Sequence, residues 1–478
     1  MRRPDFPVFL SAFTNPAGTR ADATARAVAV QPKWAPRDFV TPARFRAWMR
    51  AQLEQARPHL APDRPNLVVL TELNGLPLLL MGAHLASRAP SFQAALALTL
   101  VKHLPAVLYT AARKRVSLPR ALQLTLAAPT ARVYLSVCRD LAREYGVFLA
   151  CGTAPLPHFR RESGNLVPNG TGVYNQAVLL NLNGELIGTA DKVYLTEPEC
   201  EGGLDLTPGR LADLRVYPTP VGDLAVATSL DAFKSDVIRH VSAHGATVLL
   251  QPDANGAEWT GKEQESPAML ADVDPGDPPA GGDGRHEPRD QPVAWLESAW
   301  LAVRSSSTIR YVVNPMVVGN LFDVPFDGQS AITAADHEAP GERSYVMTSP
   351  RPGFLALLPW VTDGDADTVR RVGKELAPRS GHARENQYVT GVISADLRLP
   401  PCARSSPPHR PHEAALNDYL TGNATLKTQP VIRTLEAAWP ALAAGLTTAG
   451  LAALRRGRVK RGLALTVVGG VLTALTLA

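Results

Sequence analysis

Three side chains with chemistry to offer stand at the ends of three short apolar runs. They are a carboxylate, an amine and a hydroxyl, in that chain order: Glu72, Lys192 and Ser229. Ser229 follows the apolar residues 224–227 and precedes residues 233–244, whose helical spacing puts Val237, Ile238 and Val241 on one face. Residues 246–251 are apolar again, so the segment predicts strand, sharp turn, helix, strand. A turn of that kind lifts its side chain off the strand tip and aims the following amides at whatever binds there, a place where enzymes put nucleophiles. The same segment also reads as an ordinary strand–helix–strand unit in which Ser229 caps the helix.

Glu72 ends the apolar run 66–73. A carboxylate buried alone is costly, so it is either held in a structural ion pair or kept for chemistry. Lys192 ends the second strand of a predicted hairpin, residues 174–181 and 186–191 around the turn Asn183–Gly184. The plain alternative is a solvated strand-end lysine.

The elements that must position these groups fit a large core. The chain has 478 residues, 45% hydrophobic, enough for one large domain with additions or for two domains. A net charge of +5 is dispersed rather than patched, and no nucleic-acid signature is present, so nucleic acid is not an expected partner. Cys138, Cys151, Cys200 and Cys402 have no metal-like spacing and no dense disulfide pattern; neither metal nor cofactor is expected. The N-terminus lacks the apolar region of a cleaved signal peptide.

Residues 1–24 are expected to be a leader, and residues 25–34 and 41–56 a first strand and helix. Residues 77–130 are apolar and helical in pieces and predict a packed helical insertion within a main domain spanning 25–400. A helix over 133–145 and a strand over 146–152 follow. Residues 257–292, acidic and rich in Pro and Gly, predict a disordered loop, and residues 401–429 a linker. Residues 430–478 carry two uncharged arms around the basic segment 455–461 and predict a helical hairpin. At ~1.5 Å per residue each arm falls slightly short of a ~30 Å bilayer core. A shallow contact with the cytoplasmic face of a membrane is therefore expected, with a soluble, cytoplasmic chain whose hairpin docks on the body or on a second subunit of a homo-oligomer as the alternative.

These pieces resemble the nitrilase (carbon–nitrogen hydrolase) superfamily from about residue 25 to 333. The closest motif is residues 191–209, DKVYLTEPECEGGLDLTPG, which looks like that family's lysine motif with Tyr194 at a histidine-like position. The resemblance implies an α/β fold, a four-layer α-β-β-α sandwich, here with the C-terminal helical hairpin added. It implies Glu72 as general base, Lys192 as the triad lysine, and Glu199 as a second active-site glutamate, with Glu197 and Glu201 near enough to compete. The segment 326–332 resembles the family's Gly-x-Ser segment, and residues 295–320 its stretch of helix, strand and Asn that closes the site.

The departure is at the nucleophile, where Ser229-Leu230-Asp231 stands in place of the family's cysteine turn. In the family reaction a thiolate attacks a small amide or nitrile, and the resemblance gives Lys192 and the Leu230 amide the developing negative charge. A serine hydroxyl is far less acidic than a thiol near 8.5, and this triad holds no histidine. Two functions follow: a carbon–nitrogen hydrolase with a Glu-Lys-Ser triad, or a catalytically inactive binding or scaffolding module on the same fold. A third, acyl transfer at a membrane, lacks the long apolar spans that such enzymes carry ahead of the catalytic domain.

Overall fold

The computed structural model describes residues 23–34, 36–256, 295, 298–299, 302–326, 328–335, 353–358, 388–402 and 404–455. The expected loop 257–292, the leader up to residue 22, and the hairpin's second arm with most of its basic segment lie outside these residues.

The first strands are β1 (Ala23–Gln31), β2 (Asn66–Val69), β3 (Phe148–Leu156), β4 (Phe159–Glu162), β5 (Asn165–Pro168), β6 (Tyr174–Leu180) and β7 (Leu186–Asp191). Next come β8 (Tyr217–Thr219), β9 (Gly222–Val226), β10 (Val248–Leu250), β11 (Tyr311–Asn314), β12 (Gly319–Leu321) and β13 (Val324–Phe326). The last are β14 (Ala331–Ala334), β15 (Phe354–Leu357), β16 (Gly391–Leu399) and β17 (Thr425–Leu426). Two six-stranded sheets result, in the orders β16-β1-β2-β3-β6-β7 and β15-β14-β11-β10-β9-β8. In each, the parallel strands (β1, β2, β3; β9, β10, β11) sit centrally and antiparallel strands flank them.

Side-chain alternation assembles the layers. Ala25, Ala27 and Ala29 of β1, with Leu67, Val69, Ala150 and Ala177, join the core shared with Leu224, Val226, Val248 and Val312 of the second sheet. Small residues on that face let the two sheets close on each other. Val28 and Val30 point the other way, into a core with Phe45, Met49 and Leu53 of α1 (Pro42–Ala56) and Tyr134, Leu135 and Cys138 of a long helix. On the far side of the second sheet, α5 (Ser235–Ala243) buries Val237, Ile238 and Val241, each worth about 1.5–3 kcal/mol. The order is α-β-β-α, as expected.

The insertion is shorter than its predicted bounds. It consists of α2 (Phe92–Lys102) and α3 (Leu104–Lys114), which meet at 88° where Pro105 opens α3. Residues 118–130 belong instead to α4 (Leu118–Tyr145), which Ser117 caps by accepting from the Arg120 amide at 3.3 Å. Pro129 removes one internal hydrogen bond, and burial of Leu122, Leu124 and Leu126 before it and Leu135 and Leu141 after it outweighs the loss.

The stretch read as a linker is structured. Residues Pro411–Leu420 form α6, with Glu413 and Leu416 fully buried against β7 and the neighbouring core. Its prolines open the helix rather than space two domains. The first arm of the expected hairpin falls within a helix, α7 (Pro430–Arg455); Trp439 Nε1 donates to the Val101 carbonyl at 3.2 Å, and His103 meets Glu436 at 2.8 Å. Among the described residues no single helix is long and apolar enough to cross a membrane; only the bent pair α2–α3 passes that test together.

Candidate active site

β2 ends where the chain must turn into the space between strand ends. The Leu70 amide still pairs with the Ala150 carbonyl at 3.0 Å, and the Thr153 amide with the Thr71 carbonyl at 3.3 Å. Gly152 lies opposite with φ +72°, and a Cβ there would stand 1.9 Å from the Thr71 oxygen. Only glycine permits this approach. Leu73 then takes φ +57°, its amide held by Thr153 Oγ1 at 2.7 Å, which fixes where Glu72 projects.

The β6–β7 hairpin delivers the amine. Gly184 adopts φ +71° at the expected turn, and Lys192, directly after β7, is tied down by its amide to the Asn175 carbonyl at 3.0 Å. Its side chain is almost fully buried. Lys192 Nζ donates to Glu72 Oε1 at 2.8 Å and to Glu199 Oε2 at 2.7 Å. Glu199 sits in the 3-10 turn Glu197–Glu199, and its Oε2 also accepts from the Thr196 amide and hydroxyl, both at 2.9 Å. Glu197 and Glu201 are exposed, so geometry singles out Glu199 of the three.

Electrostatics follow from this contact set. Burial pushes the Glu72 carboxyl up to about 7, against the pull of Lys192 and with added repulsion from Glu199. Burial also disfavours the Lys192 ammonium, yet its two carboxylate partners outweigh that and raise it above its ordinary value. Glu199 is buried too, but Lys192, the Thr196 amide and Asn175 hold it below its usual range. The arrangement is a proton acceptor near neutrality beside a permanent cation, with a second carboxylate anchoring that cation.

Ser229 is joined to the cluster through the backbone of residues 252–254. It takes φ +53°, a left-handed conformation uncommon for a residue with a Cβ, at the start of the 3-10 turn Ser229–Phe233. Its amide donates to the Pro252 carbonyl at 3.2 Å, and two residues on, the Ala254 amide donates to Glu72 Oε2 at 3.1 Å. Leu230 lies in the same turn. The helix predicted over 233–244 is α5 (Ser235–Ala243), which follows this 3-10 turn. None of the cysteines is at the turn; Cys138, Cys151 and Cys402 are buried elsewhere and Cys200 is exposed. The Gly-x-Ser segment serves the frame, since Ser330 Oγ donates to Gln31 Oε1 at 2.9 Å and accepts from the Met316 amide at 2.9 Å.

Three further residues complete the site. Asn175 Nδ2 donates to Glu72 Oε1 at 2.8 Å and to Glu199 Oε1 at 2.7 Å, bridging the carboxylates. Asp231 accepts from the amides of Val193 and Tyr194 at 3.1 and 2.8 Å, pinning the segment after Lys192 to the serine turn. Burial raises the Asp231 carboxyl to about 7 although those amides oppose it. Asp253, after β10, is the third. The available signal was a polar residue inside or directly after an apolar run: Asn175 in YNQAVLL and Asp253 after TVLLQP.

Residues 118–271 match the family model described as carbon-nitrogen hydrolase, a span holding Lys192, Glu199 and Ser229 but not Glu72. Among solved structures, the chain is similar to a carbon-nitrogen hydrolase from Helicobacter pylori G27, with 17% identity, 75% of this chain and 95% of that one covered, and a TM-score of 0.40. It is similar to Nit3 of Saccharomyces cerevisiae, a member of branch 10 of the nitrilase superfamily: 16% identity, 76% and 99% covered, TM-score 0.40. A cysteine-to-serine mutant of the amidase from Nesterenkonia sp. AN1 gives 17% identity, 74% and 97% covered, TM-score 0.38. No match is found among curated protein sequences.

Proposed function

We propose that this chain hydrolyses a small amide or nitrile through Ser229. Glu72 takes the hydroxyl proton, Lys192 and the Leu230 amide hold the charge that develops on the substrate, and Glu199 orients Lys192. The observation that carries this reading is the buried contact of Glu72 and Glu199 with one lysine, with the carboxyl of Glu72 raised to about 7. A base near neutrality is what a weakly acidic nucleophile needs. The carbon–nitrogen hydrolase match over residues 118–271 supports the same reaction class.

Intact-mass spectrometry of the full chain with amide, nitrile and ester probes tests it: an acyl adduct is expected on Ser229 and absent from Ser229→Ala. Ser229→Cys supplies a more acidic, more polarizable nucleophile at the same turn and is expected to raise amide turnover ~10-fold or more. No adduct on the wild type, together with an inert but folded Ser229→Cys, would sink the enzyme and leave a binding module on the same fold.

A further inference from the structure

Around Glu72 the described chain buries four carboxyl groups, Glu72, Glu199, Asp231 and Asp253, and Lys192 is the cation in contact with two of them. Three have partners suited to negative charge. Glu72 and Glu199 share Lys192, and Asp231 accepts backbone amides from two residues. Asp253 differs. Its Oδ2 accepts from the side-chain amides of Asn314 at 2.5 Å and Gln251 at 3.2 Å, while its buried Oδ1 has no partner among the described residues. Among the described residues no lysine or arginine forms a salt bridge with it. An ionised oxygen left bare in such a place costs several kcal/mol, and a proton on it removes most of that cost.

Its place in the chain matters as much. Asp253 lies between Pro252, whose carbonyl receives the Ser229 amide, and Ala254, whose amide donates to Glu72. Its own amide and carbonyl are fixed by Pro315 and Val317 at 3.0 and 3.3 Å, so the loop is held rigidly between nucleophile and base. The charged groups that act on it are Glu72 and Lys192, and the groups in contact are the amides of Asn314 and Gln251, the latter braced by Ser298 at 3.1 Å.

We propose that Asp253 is an un-ionised carboxylic acid at neutral pH and the proton donor to the leaving nitrogen, paired with Glu72 as base. The leaving-group step rests on the hydrolase reading above; the proton does not. Burial, and then repulsion from Glu72, push the Asp253 carboxyl well above its ordinary range, in keeping with this assignment. In the first half-reaction the bond from Ser229 Oγ to the substrate carbon forms and its proton goes to Glu72. The carbon–nitrogen bond then breaks as Asp253 gives its proton to the nitrogen. In the second half, water attacks the acyl carbon and its proton restores Asp253. The ester bond to Ser229 breaks, and Glu72 returns the proton to Oγ. Two carboxyls of unequal proton affinity thus divide acid and base work that lacks a histidine.

Asp253→Asn in the full chain is the test, because its amide keeps an acceptor toward Asn314 and a donor in place of the acid. Infrared difference spectra at neutral pH should show a protonated-carboxyl stretch in the wild type that is lost in Asp253→Asn and kept in Glu199→Gln. No such loss means Asp253 is ionised, and the proposal falls. On substrates, Asp253→Asn is expected to lose ~100-fold or more on an amide and only a few-fold on p-nitrophenyl acetate, whose leaving group needs no proton. Equal losses on both would reduce Asp253 to a structural part and overturn the donor role. A wild type that turns over neither substrate overturns the hydrolase reading and the donor step together, while the infrared result still decides the proton.

Discussion

Two buried charge networks flank the end of β7, and they differ in their balance. At one, Lys192 faces a surplus of carboxyls, and Glu72 is raised to about 7. At the other, Glu413 of α6 meets Arg410 at 2.7 Å and also accepts from the Thr189 amide at 3.0 Å and the Tyr217 hydroxyl at 2.9 Å. Despite burial, these donors hold the Glu413 carboxyl down at about 2. Both sites are buried and densely bonded. Burial of charge therefore does not by itself mark chemistry; an unmatched charge does. In the α6 clasp the Glu413 carboxylate is matched by Arg410, and only the Arg410 Nε is left without a partner among the described residues, whereas at Glu72 the carboxyls outnumber the cation.

Removing one member from each network separates them. Lys192→Met should have the largest effect, about 3–5 kcal/mol lost in urea unfolding together with all amide turnover, because two carboxylates lose their cation. Unchanged stability would mean that Glu72 and Glu199 are not held by Lys192. Glu413→Ala should cost less, about 2–4 kcal/mol, since Arg410 and the Thr189 amide lose their acceptor. Turnover per folded molecule should stay within about twofold of wild type; a selective fall in kcat would mean that the two networks are not separate in function.

The smallest expected effect is in pH dependence. His412 stacks on His158 with ring centroids 3.8 Å apart, and burial, then its neighbour, lower it to about 4. As pH falls below 6.5 the unfolded chain takes up a proton that the folded one refuses, so stability declines toward pH 4 by at most about 3 kcal/mol, less any screening. Glu413 extends the loss from its unfolded value near 4.5 down toward 2. Glu72 acts in the opposite sense: its folded value is raised, so its cost appears as pH rises from 4.5 to about 7. Calorimetry over pH 4–8 should show His412→Phe losing the limb between 6.5 and 4. An identical acid limb in that variant would exclude His412 as its source.

The sheet frame and the positions of Glu72 and Lys192 were legible because they depend on local patterns, an apolar run with a charge at its end and an Asn-Gly turn. Glu199 was singled out by the family resemblance alone, with Glu197 and Glu201 near enough to compete, since the choice depends on which one folds back to Lys192. Asn175, Asp231 and Asp253 act through contacts tens of residues away and leave no periodic trace. The α6 helix was hidden because Pro407, Pro408 and Pro411 signal a break, and the polar Glu413 in its first turn gains its meaning from Arg410, Thr189 and Tyr217.

The placement of α6 has a consequence for association. β7 is the last strand of its sheet, and a bare strand edge is a template on which another chain can add a strand. Here the outward amides of Leu186 and Thr189 are already taken, by Asn417 Oδ1 at 3.0 Å and Glu413 Oε1 at 3.0 Å, and the Thr189 carbonyl accepts from Arg410 and Tyr217. Side chains of a helix thus occupy positions where a neighbouring backbone would bind. The edge beside the candidate site is closed to β-augmentation at Leu186 and Thr189 from within the same chain, and strand addition between copies would need another edge.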